Sequence, residues 1–430
     1  MKESVLARSL PWLVLLIMFF QLPYYKEEAG PFYALAKIWP VILAPLVGYG
    51  MLMLKLPDRL LYLAFTVYAL ALTPFLSMIH LPNNLVDATA AAVKAWPITF
   101  YFSAAAALVL LRPSEAQLAR CTVGLGIASF GLMLLLWMVV PAAWYQPVVA
   151  GANMFSWDDG RGSYIRMPLM LGVFSILWLA MRFGQGRGLW AGLLLLGGLL
   201  AMAFVYKARL PTGVTLLLVL LILGWHLPVA WRWALGALLT LPASLAAILL
   251  GPGVPALLAR VFDESLFIRL RSVGIAWNWL LDDPWRMMLG GGSTSTFSDY
   301  TMADHFRSPD FWLTDIGWLG ILVEYGVLGT FLIILIHARA LWTAFALGGG
   351  DPFRGALGCY VLFEILCSAV YSVMYAPGPV VTIAAIAWWL QLRDRQGIRR
   401  DEPGLLPSNG RVPAIPAPAW AAGRIPRGSA

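Results

Sequence analysis

Ser308-Pro309-Asp310-Phe311-Trp312-Leu313-Thr314-Asp315-Ile316-Gly317 marks the place where a long polar stretch ends and the chain enters an apolar run. Upstream of it, residues 251–311 form the only long polar loop between apolar segments, and they carry five arginines and several acids. Next to a bilayer, charged and irregular backbone persists only where water or a ligand satisfies it. Any chemistry is therefore expected in this loop or at its exit.

Composition sets the class around that loop. The chain is 60% hydrophobic and only 12% charged, with a mean hydropathy of +0.76, whereas soluble domains carry roughly 25% charged residues. The net charge of +8 comes from basic residues that punctuate apolar runs, as the positive-inside rule requires, so nucleic acid is not an expected partner. Cys121, Cys359 and Cys367 lie in or beside apolar runs, without metal or disulfide spacing. Leu10 to Tyr24 lacks a small-residue cleavage site and reads as a first span.

About 20 apolar residues cross the hydrocarbon core. On that basis spans are expected near 8–24, 34–54, 60–79, 95–111, 121–143, 166–182, 189–206, 211–227, 233–250, 312–336, 356–374 and 378–392. The basic residues of alternate short loops then orient the chain. One set includes Lys55, Arg59, Arg112, Arg120, Arg182, Arg187, Arg232, Arg339, Arg354, Arg393 and Arg395; the other holds only Lys26, Lys37, Lys94, Arg161, Arg166, Lys207 and Arg209. The richer set is expected on the cytoplasmic side. Both termini then lie there, and the 251–311 loop faces outward. Residues 1–396 read as one polytopic unit, and 397–430, rich in Pro, Gly and Arg, as a disordered cytoplasmic tail.

Within the loop, Glu264 to Leu281 mixes arginine with Leu, Ile, Val and Trp, the pattern of an amphipathic helix on the membrane surface or capping the bundle. Asp282-Asp283-Pro284 stops it. Gly290-Gly291-Gly292 permits either a close backbone approach or a flexible connector. Several ionisable groups sit at span edges, where charge is costly unless paired or beside a cavity. Lys207 and Arg209 stand at a span junction, and Arg209 is equally placed to snorkel to lipid phosphates. Asp315 begins a span. Glu324 is nine residues further in, and Gly326 and Gly329 beside it also fit a buried hydrogen-bonding role. Glu364 lies within the eleventh span and calls for an unidentified partner. His305 has the only loop imidazole, a group that titrates near neutrality. Trp157-Asp158-Asp159-Gly160 reads as a polar turn rather than a metal-binding acid pair. There is no HExxH, Walker A or GxSxG sequence.

Three stretches resemble the O-antigen ligase and Wzy-type polysaccharide polymerase superfamily. These are Tyr206-Lys207-Ala208-Arg209, the run from Arg269 through Trp277 and Pro284 to Gly290-Gly291-Gly292, and Asp315-Ile316-Gly317-Trp318 continuing to Glu324-Tyr325-Gly326-Val327-Leu328-Gly329. They cover roughly residues 204–330. Ligases of the superfamily usually have histidine where this chain has Asp315, so the chain is more similar to exopolysaccharide polymerases.

The resemblance implies an all-α, GT-C-like integral membrane fold of about twelve transmembrane helices with one large periplasmic loop, in a bacterial inner membrane. It implies polymerisation of oligosaccharide repeat units carried on polyprenyl (undecaprenyl) diphosphate into an exopolysaccharide or O-antigen-like polymer, without metal or cofactor and with inversion. Arg209, Arg269 and Arg271 are the expected diphosphate-binding residues, because guanidinium grips phosphate oxygens bidentately. Asp315 is the expected general base. Lys207, His305, Glu324 and Trp277 are expected in supporting positions. Expected partners are the lipid-linked donor and acceptor, membrane lipids, a flippase and chain-length or export proteins. The alternatives are a ligase that moves a finished glycan to a lipid or protein acceptor and, in a different class, a lipid or glycan transporter.

Overall fold

The computed structural model describes residues 5–25, 30–147, 154–158, 160–230, 232, 254–293, 300–309, 311–348, 350–372, 374 and 376–397. About 79% of the described residues are helical. Among the described residues seven helices are long and apolar enough to cross a membrane. In chain order the helices are α1 (Val5–Phe19), α2 (Gly30–Met53), α3 (Arg59–His80), α4 (Leu85–Leu111), α5 (Glu115–Val139), α6 (Met170–Gly184), α7 (Leu189–Tyr206) and α8 (Arg209–His226). They continue with α9 (Val254–Leu281), α10 (Pro284–Leu289), α11 (Met302–His305), α12 (Gly317–Phe345), α13 (Pro352–Cys367) and α14 (Gly378–Arg395). The chain is thus an all-α, multi-pass membrane protein.

The seven are α2 to α5, α7, α8 and the segment Leu313–Phe345 that contains α12. Helices α1 and α6 are apolar but short. Helix α13 has 16 residues. Helix α14 ends in Arg393, Asp394 and Arg395, and its residues from Gly378 to Leu390 are buried. A helix that is apolar all round belongs inside a bundle, so α14 is the central post of the fold. The span expected at 233–250 lies outside the described residues, as does the tail from 398.

Two boundaries differ from expectation for a physical reason. The loop between α3 and α4 is confined to residues 81–84: α4 begins at Leu85, ten residues earlier than the apolar pattern indicates, and Lys94 sits inside it on a 3-10 turn. A lysine there is tolerated because its ammonium meets Glu324. Helix α9 is longer than the expected Glu264–Leu281 amphipathic stretch. Asp283 then caps the next helix, accepting from the Trp285 amide at 2.9 Å, and Pro284 occupies its first turn, where no amide is needed. The Asp-Pro pair therefore ends one helix and starts another.

Outside the helices, β1 (Gln146–Pro147), β2 (Phe155–Asp158) and β3 (Gly162–Ile165) form a small sheet in which β2 and β3 pair antiparallel. The polar turn joining them is held by Asp158, which accepts from the Arg161 amide at 2.6 Å and from Arg161 Nε at 2.7 Å; Asp159 lies outside the described residues. Helices α9 to α11 pack a second, small core of Leu81, Ala276, Leu280, Met302, Phe311, Ile316 and Val323. The long loop is therefore a helical subdomain seated on the start of α12.

Candidate functional site

The seat is made by backbone contact. Gly326 interrupts α12 with φ 60° and ψ −173°, a conformation that essentially only glycine adopts. The kink frees carbonyls that the Gly290-Gly291-Gly292 turn takes up: the Gly291 amide donates to Val323 O at 2.8 Å and the Gly292 amide to Glu324 O at 3.3 Å. Tyr68, at the start of a π-helical turn in α3, bonds through its hydroxyl to Leu289 O (2.7 Å) and Tyr325 O (2.9 Å). Ser77 Oγ donates to Ser293 O at 2.8 Å. Of the two readings of the glycine run, close approach is the one the fold uses.

Glu324 lies beneath this junction, 5% exposed, paired with Lys94 and accepting from Ser293 Oγ at 3.2 Å. Lys94, Thr314, Glu324 and Ser372 border a cavity of ≈ 20 Å³, room for about one water. Glu324 thus takes the buried hydrogen-bonding role that the neighbouring glycines indicated.

Asp315 sits beside that cavity on the 3-10 turn Leu313–Ile316 leading into α12. The turn is fixed by the loop after α13, where the Ser372 amide donates to Thr314 O at 3.0 Å. Arg269 reaches in from α9 and places Nη2 3.9 Å from Asp315 Oδ2, with its guanidinium 5.9 Å from the Tyr371 ring centre. This is an ion pair without a hydrogen bond. Both side chains remain open, 32% and 39% exposed. Arg166, just past β3, is the second cation acting on Asp315, and it also acts on Tyr206 at the end of α7.

The other expected residues separate. Arg271 is exposed on α9; two residues from Arg269, it points to a different face of the helix. Arg209 is exposed at the first position of α8, and neither it nor Arg271 forms an ion pair with Asp315. Lys207 is committed elsewhere: its Nζ donates to Arg161 O at 2.6 Å and Ser163 O at 2.9 Å, bolting the β2–β3 hairpin to the α7–α8 junction. Trp277 lies with Phe267, Leu270, Val273 and Leu281 on an exposed apolar stripe of α9, the placement of an interfacial anchor. His305 belongs to an aromatic group, 5.5 Å from Trp279 and 5.0 Å from Phe306 by ring centres. Burial, and then the nearby Arg286, push the His305 pKa below its usual value.

Arg166 and Tyr371 are the further residues that the structure brings near Asp315 and Arg269 without a sequence motif to mark them. Arg166 entered only as an orientation charge, and a lone tyrosine in a connecting loop carries no pattern. Glu364 finds no arginine among the described residues; its nearest partner is Tyr360, one turn back on α13.

What assembles here is an acid paired with Arg269 at the edge of the apolar spans, within the electrostatic reach of Arg166 and under a helical subdomain fixed to the bundle. No protein-family model and no curated protein matches the chain.

Proposed function

We propose that this protein is a membrane glycosyltransferase that polymerises repeat units carried on polyprenyl diphosphate, working at the outer face of the bacterial inner membrane. The observation that carries this reading is the Arg269–Asp315 pair, 3.9 Å apart and open to solvent where the chain re-enters the spans. It sets a proton acceptor beside a fixed cation, the two groups that glycosyl transfer from a diphosphate needs.

In this reaction the acceptor sugar hydroxyl approaches Asp315. The carboxylate takes its proton as the oxygen bonds to the anomeric carbon of the donor. The carbon–oxygen bond to the lipid diphosphate breaks, and negative charge grows on the departing phosphate oxygens. Arg269 neutralises that charge in this reading, a fixed electrostatic stabiliser of the kind that commonly supplies most of a rate enhancement. Direct displacement inverts the anomeric centre. Both termini lie on the opposite, cytoplasmic side.

The test is reconstitution of the purified protein in liposomes with a lipid-diphosphate-linked repeat unit, followed by sizing of the product. A ladder is expected from the native protein, and none from Asp315→Asn or Arg269→Ala protein present in the membrane at native amounts. Transfer of glycan to an acceptor with unchanged chain length would replace this reading with the ligase one. Normal ladders from both variants would remove the site.

A further inference from the structure

Helix α12 folds back on itself. The Trp318 and His337 rings have centres 5.9 Å apart, whereas an unbroken helix would separate these residues by about 28 Å at 1.5 Å per residue. The reversal is at Gly326, and it leaves residues 317–325 as a short arm beside the rest of the helix. Glycine stands at both ends of that arm in conformations that essentially only glycine adopts: Gly317 has φ 54° and ψ −126°, and Gly326 has φ 60° and ψ −173°. Both ends are also fitted against other backbone. A Cβ at Gly317 would strike the carbonyls of Ser368 and Ala369 after α13, and one at Gly326 would strike the Gly290 amide.

The arm carries an acid at each end. At its foot is the Leu313–Ile316 turn with Asp315, packed so closely on the arm that a Cβ at Gly320 would strike Leu313 O. At its head is Glu324, which pairs with Lys94 of α4 and accepts from Ser293 Oγ at 3.2 Å. Head and foot share one water-sized cavity, whose border includes Lys94, Glu324, Leu313 and Thr314. A buried ion pair is often replaceable by apolar packing without loss of stability, because desolvation offsets the attraction. What the pair fixes here is geometry: Glu324 is 5% exposed, and donors from two other elements hold its carboxylate in one place. We infer that Lys94 and Glu324 are positioning residues for Asp315. The pair sets the place of the arm, and with it the place of the carboxylate at the foot. Neither residue touches substrate; both act through the arm. The inference rests on the proposed glycosyl transfer only for what Asp315 does, and the hold on the arm is read without any sugar.

The test variant is Lys94→Met with Glu324→Gln, which removes both charges together. Initial rates are measured against repeat-unit concentration in liposomes. Amide hydrogen exchange of the full chain is measured in detergent, on peptides covering 311–325 and, as the control, 352–367. The expected kcat is lower by roughly 10- to 100-fold, the effect of about 1 Å of misplacement. KM should change by less than about 3-fold, since the pair makes no substrate contact. Exchange in 311–325 should be about 10-fold faster, a local opening, with 352–367 unchanged. Lys94→Arg, which keeps the pair, should retain most of the native rate. Native kcat or native exchange in 311–325 in the double variant overturns the inference. So does equally faster exchange in 352–367, or a loss in Lys94→Arg as deep as in the double variant. If the double variant fails to fold, Ser293→Ala decides: loss of its bond to Glu324 should speed exchange in 311–325 and lower kcat by smaller factors, and native values of both overturn the inference. A native protein that makes no ladder rejects the polymerase reading, and exchange alone then decides whether the pair holds the arm.

Discussion

Arg354 offers the sharpest quantitative test of how charge is used in this bundle. Its guanidinium meets Glu115 at 2.8 Å through both Nε and Nη2, and Asp394 at 2.6 and 2.9 Å. Arg354 and Glu115 are each 7% exposed, whereas Asp394 is 47% exposed. Arg354→Met keeps the stem and removes the charge. It deprives Glu115, at the start of α5 beside the Ser114–Gln117 capping box, of the guanidinium that meets both of its oxygens. Such a loss costs roughly 3–5 kcal/mol. Arg393 lies near enough to act on Glu115, which places the expected cost at the lower end, about 3 kcal/mol. Asp394→Asn weakens an arm that water already reaches, so it should cost about 1 kcal/mol or less. Arg354→Met combined with Glu115→Leu removes both buried charges and should recover most of the stability, because a buried pair is often replaceable by apolar packing. The assay is denaturant unfolding in mixed micelles followed by tryptophan fluorescence. An Arg354→Met protein no less stable than Asp394→Asn, or a double variant less stable than Arg354→Met, would refute the reasoning.

The remaining predictions concern the site and its seat. Asp315→Asn should lower the rate of polymer formation about 10²- to 10⁴-fold, the range for a lost general base, measured as initial rate in liposomes; a smaller loss argues for another base. Gly326→Ala should destabilise by about 1–3 kcal/mol from backbone conformation alone, and by more because its new Cβ meets the backbone of Leu289 and Gly290; unfolding at the native denaturant concentration would contradict it. Lys94→Met should strand Glu324 and destabilise strongly, and Lys94→Met with Glu324→Gln should regain most of the loss in the same unfolding assay. The His305 pKa is lowered on folding, so the unfolded chain binds its proton first as pH falls. The His305 contribution should be intact above about pH 6.5, decline as pH drops through the folded value, and vanish in His305→Phe; a native unfolding midpoint flat between neutral and acidic pH would count against it.

The all-α, membrane-spanning class was legible because transfer of apolar surface dominates and is written directly in composition; of the twelve spans expected, seven helices among the described residues are long and apolar enough to cross a membrane. The same logic misplaced the start of α4. Its first turns carry Asp87 and Lys94, and the group that makes Lys94 acceptable, Glu324, is 230 residues away in sequence. Likewise nothing local connects Arg354 with Glu115, 239 residues distant. At the site, Asp315 and Arg269 were readable as charges at a span edge and on a loop helix. Arg271 lies apart from Arg269, since residues two apart on a helix do not share a face. The influence of Arg166 on Asp315 carries no sequence signal, since an arginine opening a span looks like any topological charge. The glycine run showed where backbones could approach closely; only the kink at Gly326 shows which backbone does so.

The fate of each guanidinium therefore separates structure from function more cleanly than position does. Helix α13 has 16 residues, about 24 Å at 1.5 Å per residue, and it joins two charged clusters of opposite character. At its first turn Arg354 is bonded to two acids. Beyond its last turn Tyr371 lies beside Arg269, whose nearest acid is beyond hydrogen-bond distance. Burying a charge without partners is costly, so the first cluster had to be closed for the bundle to fold. The second sits at an edge that stays open, where folding does not demand closure. Arg269 there keeps donors without a hydrogen-bonded acid among the described residues, on a helix whose following turn is bonded to the α12 kink. Arg354 variants that lose stability but keep the native rate of polymer formation per folded molecule, with Arg269 variants that do the reverse, would show the two uses divided between the ends of this helix.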